Sequence, residues 1–185
     1  MLFKIDDSQP PDSLQSHWSE VHYDGHPNSW VPEIPPHWHK HHDEHMLVTR
    51  GSVEFTATGK PVILKGGDEM LTIPRMVTHG FKVVKGEATV FKEFTTPPGD
   101  FKEAFFEDLL DEGRITLGSA LRAAYYGDTH FGLPGGFKVL EQAVTVGFGG
   151  LAAWVWPQRH RGMLGESAGK GDGTAVTSSN SASEH

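Results

Sequence analysis

At 185 residues the chain is long enough for one domain with extensions around a real core. Its formal charge is −8, from 24 acidic and 16 basic residues with no basic block, so the footprint of a nucleic-acid binder is missing. The absence of cysteine excludes disulfides, thiolate metal sites and a cysteine nucleophile, and leaves nitrogen and oxygen as the only metal donors.

The first residues, MLFKIDDSQPPD, contain no apolar h-region and no small-residue cleavage site, which predicts a cytoplasmic protein. Residues 1–35 are polar and proline-punctuated, and read as an arm with short strands around Trp18–Tyr23 and Trp30–Ile34. Residues 36–96 read as all-β. Runs over Glu44–Arg50, Val53–Thr58, Val62–Leu64, Met70–Ile73, His79–Val84 and Ala88–Phe94 are separated by glycine-bearing turns, as in a small barrel or jelly roll. No long helical pattern interrupts them, which argues against a parallel α/β sheet.

After Pro97-Pro98-Gly99 the pattern turns helical. Asp100 and Glu103 make a variant capping box, and Phe101, Ala104, Phe105, Asp108 and Leu109 share one face, with Gly113 as a stop. Thr116–Tyr126 and Phe137–Trp156 are the next helical segments, the last ended by Pro157. Residues 97–161 thus form a helical extension, and the Gly/Ser/Ala-rich stretch 162–185 is expected to be disordered. Val139–Trp156 holds one charge, Glu141, and sits at the lower length limit for a membrane span. Its glycines, Gln142 and Thr145 weaken that signal, so packing on the barrel or on a partner subunit is the favoured reading.

The chemistry concentrates in Pro36–Glu44. Residues i and i+2 of a strand face the same side, so His37 and His39 present two imidazoles together. A turn through Lys40–Asp43 returns the chain so that Glu44 faces the same point, with Met46 and Val48 following it inward. Five of the twelve histidines lie between His37 and His45, so this tract alone also suits a solvated, histidine-rich turn. His79, in IPRMVTHGF outside the tract, supplies the fourth donor. Three imidazoles and a carboxylate on one divalent ion leave coordination positions open for water, substrate or dioxygen. His41, His42 and His45 are read as solvated residues or supports of the ligands.

These residues resemble the two motifs of the cupin superfamily. HWHKHHDEHMLVTRG matches the first motif from His37 through Gly51, with Val31 where the family has its leading Gly. GDEMLTIPRMVTH supplies Gly67, Pro74 and His79 of the second. Six residues rather than five separate Gly67 from Pro74, Met76 replaces the Gly after Pro-x, and Val83 stands where the family often has Asn. The resemblance implies a mainly β fold: a single cupin-type barrel or jelly roll with an N-terminal arm and a C-terminal helical extension. It also implies one divalent metal on His37, His39, Glu44 and His79, with Fe(II) favoured and Mn, Ni or Zn as alternatives. The single barrel with its extension looks most like small stand-alone cupins, including those of fungal secondary metabolism.

The leading functional expectation is a metal-dependent oxidoreductase, dioxygenase-like, acting on a small aromatic or polyketide-like molecule. Met46, Val48, Phe55, Met70, Thr72 and Phe81 are the candidate substrate-pocket residues. The alternatives are a metal-dependent isomerase, cyclase or decarboxylase, for which His41, His42 or Arg75 would handle protons, and a non-catalytic binding cupin. Sheet edges need cover, which the arm or the helices would provide in cis or across a homodimer.

Overall fold

The computed structural model describes residues 2–99, 101–110 and 116–156. Asp100, Gly113, Pro157 and the 162–185 tail, where helix ends and disorder are expected, lie outside them. The strands are β1 (Leu2–Ile5), β2 (His17–Tyr23), β3 (Glu33–His39), β4 (Asp43–Arg50), β5 (Ser52–Ala57), β6 (Lys60–Lys65), β7 (Leu71–Ile73), β8 (His79–Val83), β9 (Thr89–Thr96) and β10 (Thr129–Phe131). The helices are α1 (Phe101–Leu110), α2 (Leu117–Tyr126) and α3 (Lys138–Val155).

Two antiparallel five-stranded sheets, ordered β1-β2-β9-β4-β7 and β10-β3-β8-β5-β6, face each other as a jelly-roll barrel. Alternation along the strands fills the space between them. Val21, Met46, Val48, Ile73 and Phe91 come from the first sheet, and Val53, Phe55, Phe81 and Val83 from the second. The Phe81 and Phe91 rings meet edge-on across the core, 4.9 Å between centroids.

The sheets use more of the chain than residues 36–96. β2 pairs with β9 and carries β1 at its edge, so the N-terminal arm is built into the first sheet. β3 begins at Glu33, three residues before the expected barrel boundary, and β10 from the helical extension adds to its free edge.

α2 starts at a capping box in which Thr116 and Ser119 bond reciprocally. Arg122 on α2 is buried and clamps Asp108 of α1 through Nε and Nη2, while its Nη1 donates to the Trp156 carbonyl. α3 crosses α2 at Gly149, where a Cβ would lie 2.7 Å from the Leu121 carbonyl oxygen. No described helix is long and apolar enough to cross a membrane.

Candidate metal centre

β3 cannot keep regular pairing through Pro35 and Pro36, which have no N–H to donate. The register with β8 shifts there: Ile34 faces Phe81, whereas the next pair is His37 with His79. This bulge turns His37 inward, and with it His39. Gly80 makes the close approach feasible, since a Cβ there would sit 2.7 Å from the Ile34 carbonyl oxygen. Glu44 opens β4 opposite Ile73 of β7 and Thr95 of β9. His37, His39, Glu44 and His79, all buried, therefore converge at one end of the barrel. One ligand atom from each lies within 4.8 Å of the others.

Each imidazole is fixed from behind. His37 Nδ1 donates to the Pro35 carbonyl, His39 Nδ1 to that of Asp128 and His79 Nδ1 to that of Val77, each at 2.9 Å. A carbonyl only accepts, so Nδ1 carries the proton and Nε2 is directed into the cluster, the orientation of a metal-ligating histidine. His39 Nε2 lies 2.8 Å from Glu44 Oε1, and His79 Nε2 lies 2.8 Å from Oε2. Burial holds His37 well below the usual imidazole range and His39 down to about 4, so both are neutral donors at neutral pH. Burial also works against charge on His79, but its hydrogen bond to Glu44 prevails and raises it. For Glu44, burial is outweighed by Lys102 and His39, which keep the carboxylate ionised. Three neutralisable nitrogens and one carboxylate, with their second ring atoms already tied down, fit a divalent ion.

The turn before His79 carries the departure from the motif. Met76 adopts φ +66°, the conformation that glycine takes without penalty, at a cost of about 1 kcal/mol. Its N–H donates to the His39 carbonyl at 2.7 Å, so the second-motif turn is anchored directly to the first motif. Gly51, at the end of the first motif, has φ +75° and packs against β9, where a Cβ would meet Thr89 Oγ1 at 2.3 Å.

Of the proposed wall residues, Met46, Val48, Phe55 and Phe81 are buried inside the barrel. Met70 and Thr72 are not: both are exposed. Directly paired residues share a face, and β7 pairs Ile73 with Glu44, Thr72 with His45 and Leu71 with Met46. The inward residues of β7 are thus Leu71 and Ile73, one step out of phase with the expectation. Thr72 bonds the outward His45. His41 and Arg75 also face outward, Arg75 in a fork to Asp43.

Several groups at this end of the barrel were not anticipated. Lys102 of α1 reaches in to contact Glu44 Oε1 and lies 2.6 Å from Glu93 Oε1 of β9. Burial raises the Glu93 carboxyl to about 7 against the pull of Lys102. The only sequence signal for Glu93 was parity, since it follows Phe91 on the inward side of β9. Asp128, at φ +54°, organises the Lys40–Asp43 turn from the far side of the chain. Its carboxylate accepts the Lys40 and His41 N–H groups and lies 3.1 Å from His42 Nδ1. His42 is buried, stacked on His39 with centroids 4.1 Å apart, and its Nε2 is 3.9 Å from Glu44 Oε1. Trp38, between the two β3 histidines, points the other way. It is covered by α3, donates to Glu141 Oε2 at 2.7 Å and stacks on His130.

No protein-family model and no curated protein matches the chain. Solved structures do resemble it. KdgF from Halomonas sp. is 25% identical, over 45% of this chain and 70% of that one, with a TM-score of 0.37. A cupin-2 domain protein from Shewanella frigidimarina is 25% identical over 42% and 67%, TM-score 0.33. The capsular polysaccharide assembling protein CapF from Staphylococcus aureus is 17% identical over 70% of this chain, which spans only 33% of CapF, TM-score 0.43. What carries the assignment is internal to the molecule. β3–β4 and β7–β8 present the two motifs at the same end of a double-sheet barrel, and in that arrangement the chain resembles the cupin superfamily.

Proposed function

We propose that His37, His39, Glu44 and His79 bind one divalent metal ion and that the protein is a metal-dependent enzyme acting on a small organic molecule. The observation that carries this reading is the buried cluster of four donors whose imidazoles are all oriented through Nδ1. A bound ion would supply Lewis acidity and, as Fe(II), redox chemistry with dioxygen. The favoured reaction class is a dioxygenase-like oxidation of an aromatic or polyketide-like metabolite. Met46 and Phe81 support it: each is buried two residues after Glu44 or His79 on the same strand, so both add apolar surface on the inward side, which suits an apolar ligand.

The chain's own residues hold the geometry. Pro35, Val77 and Asp128 carbonyls fix the rings, Asp128 fixes the ligand turn, and Lys102 neutralises Glu44 from the α1 side. A cavity of about 20 Å³, room for a single water molecule, lies beside Lys102 and Glu93 and is also lined by Thr95, Ser19 and His17.

The Lys102–Glu93 pair favours a second reading, a non-redox isomerase, cyclase or decarboxylase. Such chemistry needs a proton donor or acceptor near the ion, and this pair holds one at Lys102 Nζ or Glu93 Oε1. Dioxygen uptake by Fe(II)-loaded protein against a panel of phenolic and polyketide compounds separates the two. Uptake that is lost in His79→Ala supports the oxidoreductase; turnover that continues without dioxygen overturns it in favour of the proton-transfer reading.

A further inference from the structure

Helix α3 is built inside out. Its two charged residues, Lys138 and Glu141, both turn toward the barrel: Glu141 is buried against Trp38, and Lys138 reaches Thr78 and lies over the Trp38 ring. The face turned to solvent is apolar. Val139 is 84% exposed and Trp154 81%, with Leu140, Val146, Phe148 and Leu151 open beside them. Together these six side chains expose on the order of 700 Å², more than the largest apolar patch of a typical monomer and close to the ~800 Å² that each partner buries in a standard interface.

The pattern on that face is a seam. Leu140, Ala143, Gly147, Gly150 and Trp154 follow one another at steps of three and four, the spacing that meets a second helix. Gly147 lies at its centre, exposed, with open space where a Cβ would be. Leu140 and Trp154 stand seven residues to either side. In an isologous contact centred there, these two equidistant residues meet reciprocally, each facing the other on the partner copy. Antiparallel helices crossed at Gly147 bring Leu140 of one copy against Trp154 of the other, with the small residues together at the crossing.

We propose that the outer face of α3 is the interface of a homodimer, seated on α3 of a second copy of this chain. The chain's own remaining segment is a poor occupant, because residues 162–185 contain only Met163, Leu164 and Val176 as large apolar residues. A membrane surface is the other candidate for an apolar helix face, but this face carries no Lys or Arg to meet anionic headgroups.

Light scattering on the untagged full chain tests this. Wild type is expected to run at twice the 20.3 kDa chain mass at micromolar concentration. Gly147→Lys is expected to run at one chain mass, with an unchanged circular dichroism spectrum and an undiminished thermal midpoint in the monomer, because Lys meets nothing there and is a better helix former than Gly. Leu151→Lys, beside the seam, is the second variant and should also run as a single chain. A wild-type mass of one chain overturns the proposal, as does a doubled mass that survives both substitutions. Single-chain protein that co-sediments with phosphatidylcholine–phosphatidylserine vesicles would overturn it in favour of a membrane occupant.

Discussion

In the barrel, Phe55, Phe81 and Phe91 point inward and are buried while Glu54 and Lys82 on the same strands point out; in α3, Glu141 and Thr145 are buried while Val139 and Trp154 stand in solvent. The barrel is complete as a hydrophobic object. Helix α3 is not: from its inner side Glu141 holds Trp38 between the two β3 histidines, and its outer side leaves large apolar side chains in solvent. The contrast teaches that side-chain chemistry alone does not say which face of an element is inside; what the element packs against decides.

Four substitutions break or sharpen this contrast. Phe91→Ala should cost about 3–5 kcal/mol in chemical denaturation, because it empties the centre of an aromatic cluster. Glu141→Ala should cost about 3 kcal/mol although it removes a charge from an apolar helix. It leaves Trp38 Nε1 and the Leu133 N–H without their acceptor, and by loosening β3 it should also weaken metal binding roughly 10-fold in calorimetry.

Asp43→Asn should cost only about 0.5 kcal/mol, since the Asp43–Arg75 fork is partly exposed. Its hydrogen bonds from Arg75 hold the Asp43 carboxyl below the ordinary value near 3.8. The contribution is therefore present above that value and lost as pH falls through the lowered one, so denaturation midpoints of wild type and variant should converge in acid. Trp154→Ala, made in the monomeric Gly147→Lys background, should change stability by less than about 0.5 kcal/mol despite removing the largest kind of side chain. A loss comparable to Phe91→Ala would show that Trp154 belongs to a core within the subunit.

The barrel was legible because its signals are local: alternation and glycine turns place β4 to β9 to within a residue or two. The convergence of His37, His39, Glu44 and His79 was legible through motif spacing. Where reading failed, the cause was geometry that spacing does not carry. Met70 and Thr72 are candidate pocket residues from the sequence, but the pairing of β7 with β4 sets the phase, and it is Leu71 and Ile73 that face in. β1 and β10 are short edge strands without a pattern of their own, formed by pairing with β2 and β3. Lys102, Glu93 and Asp128 reach the cluster from α1, β9 and the α2–β10 turn, far along the chain from the histidine tract, and no spacing rule links them to it. In α3 the apolar run was visible, whereas its outward orientation emerged only from the Glu141–Trp38 bond.

Metal content tests the His37, His39, Glu44 and His79 centre most directly. Protein purified without a histidine tag, loaded with Fe(II) or Zn(II) and dialysed, should retain one ion per chain by elemental analysis. His79→Ala, folded by circular dichroism, should lose affinity by more than ~100-fold, beyond what loss of an outer partner alone produces. No retained metal in the wild type, or equal retention in His79→Ala, would contradict the metal centre.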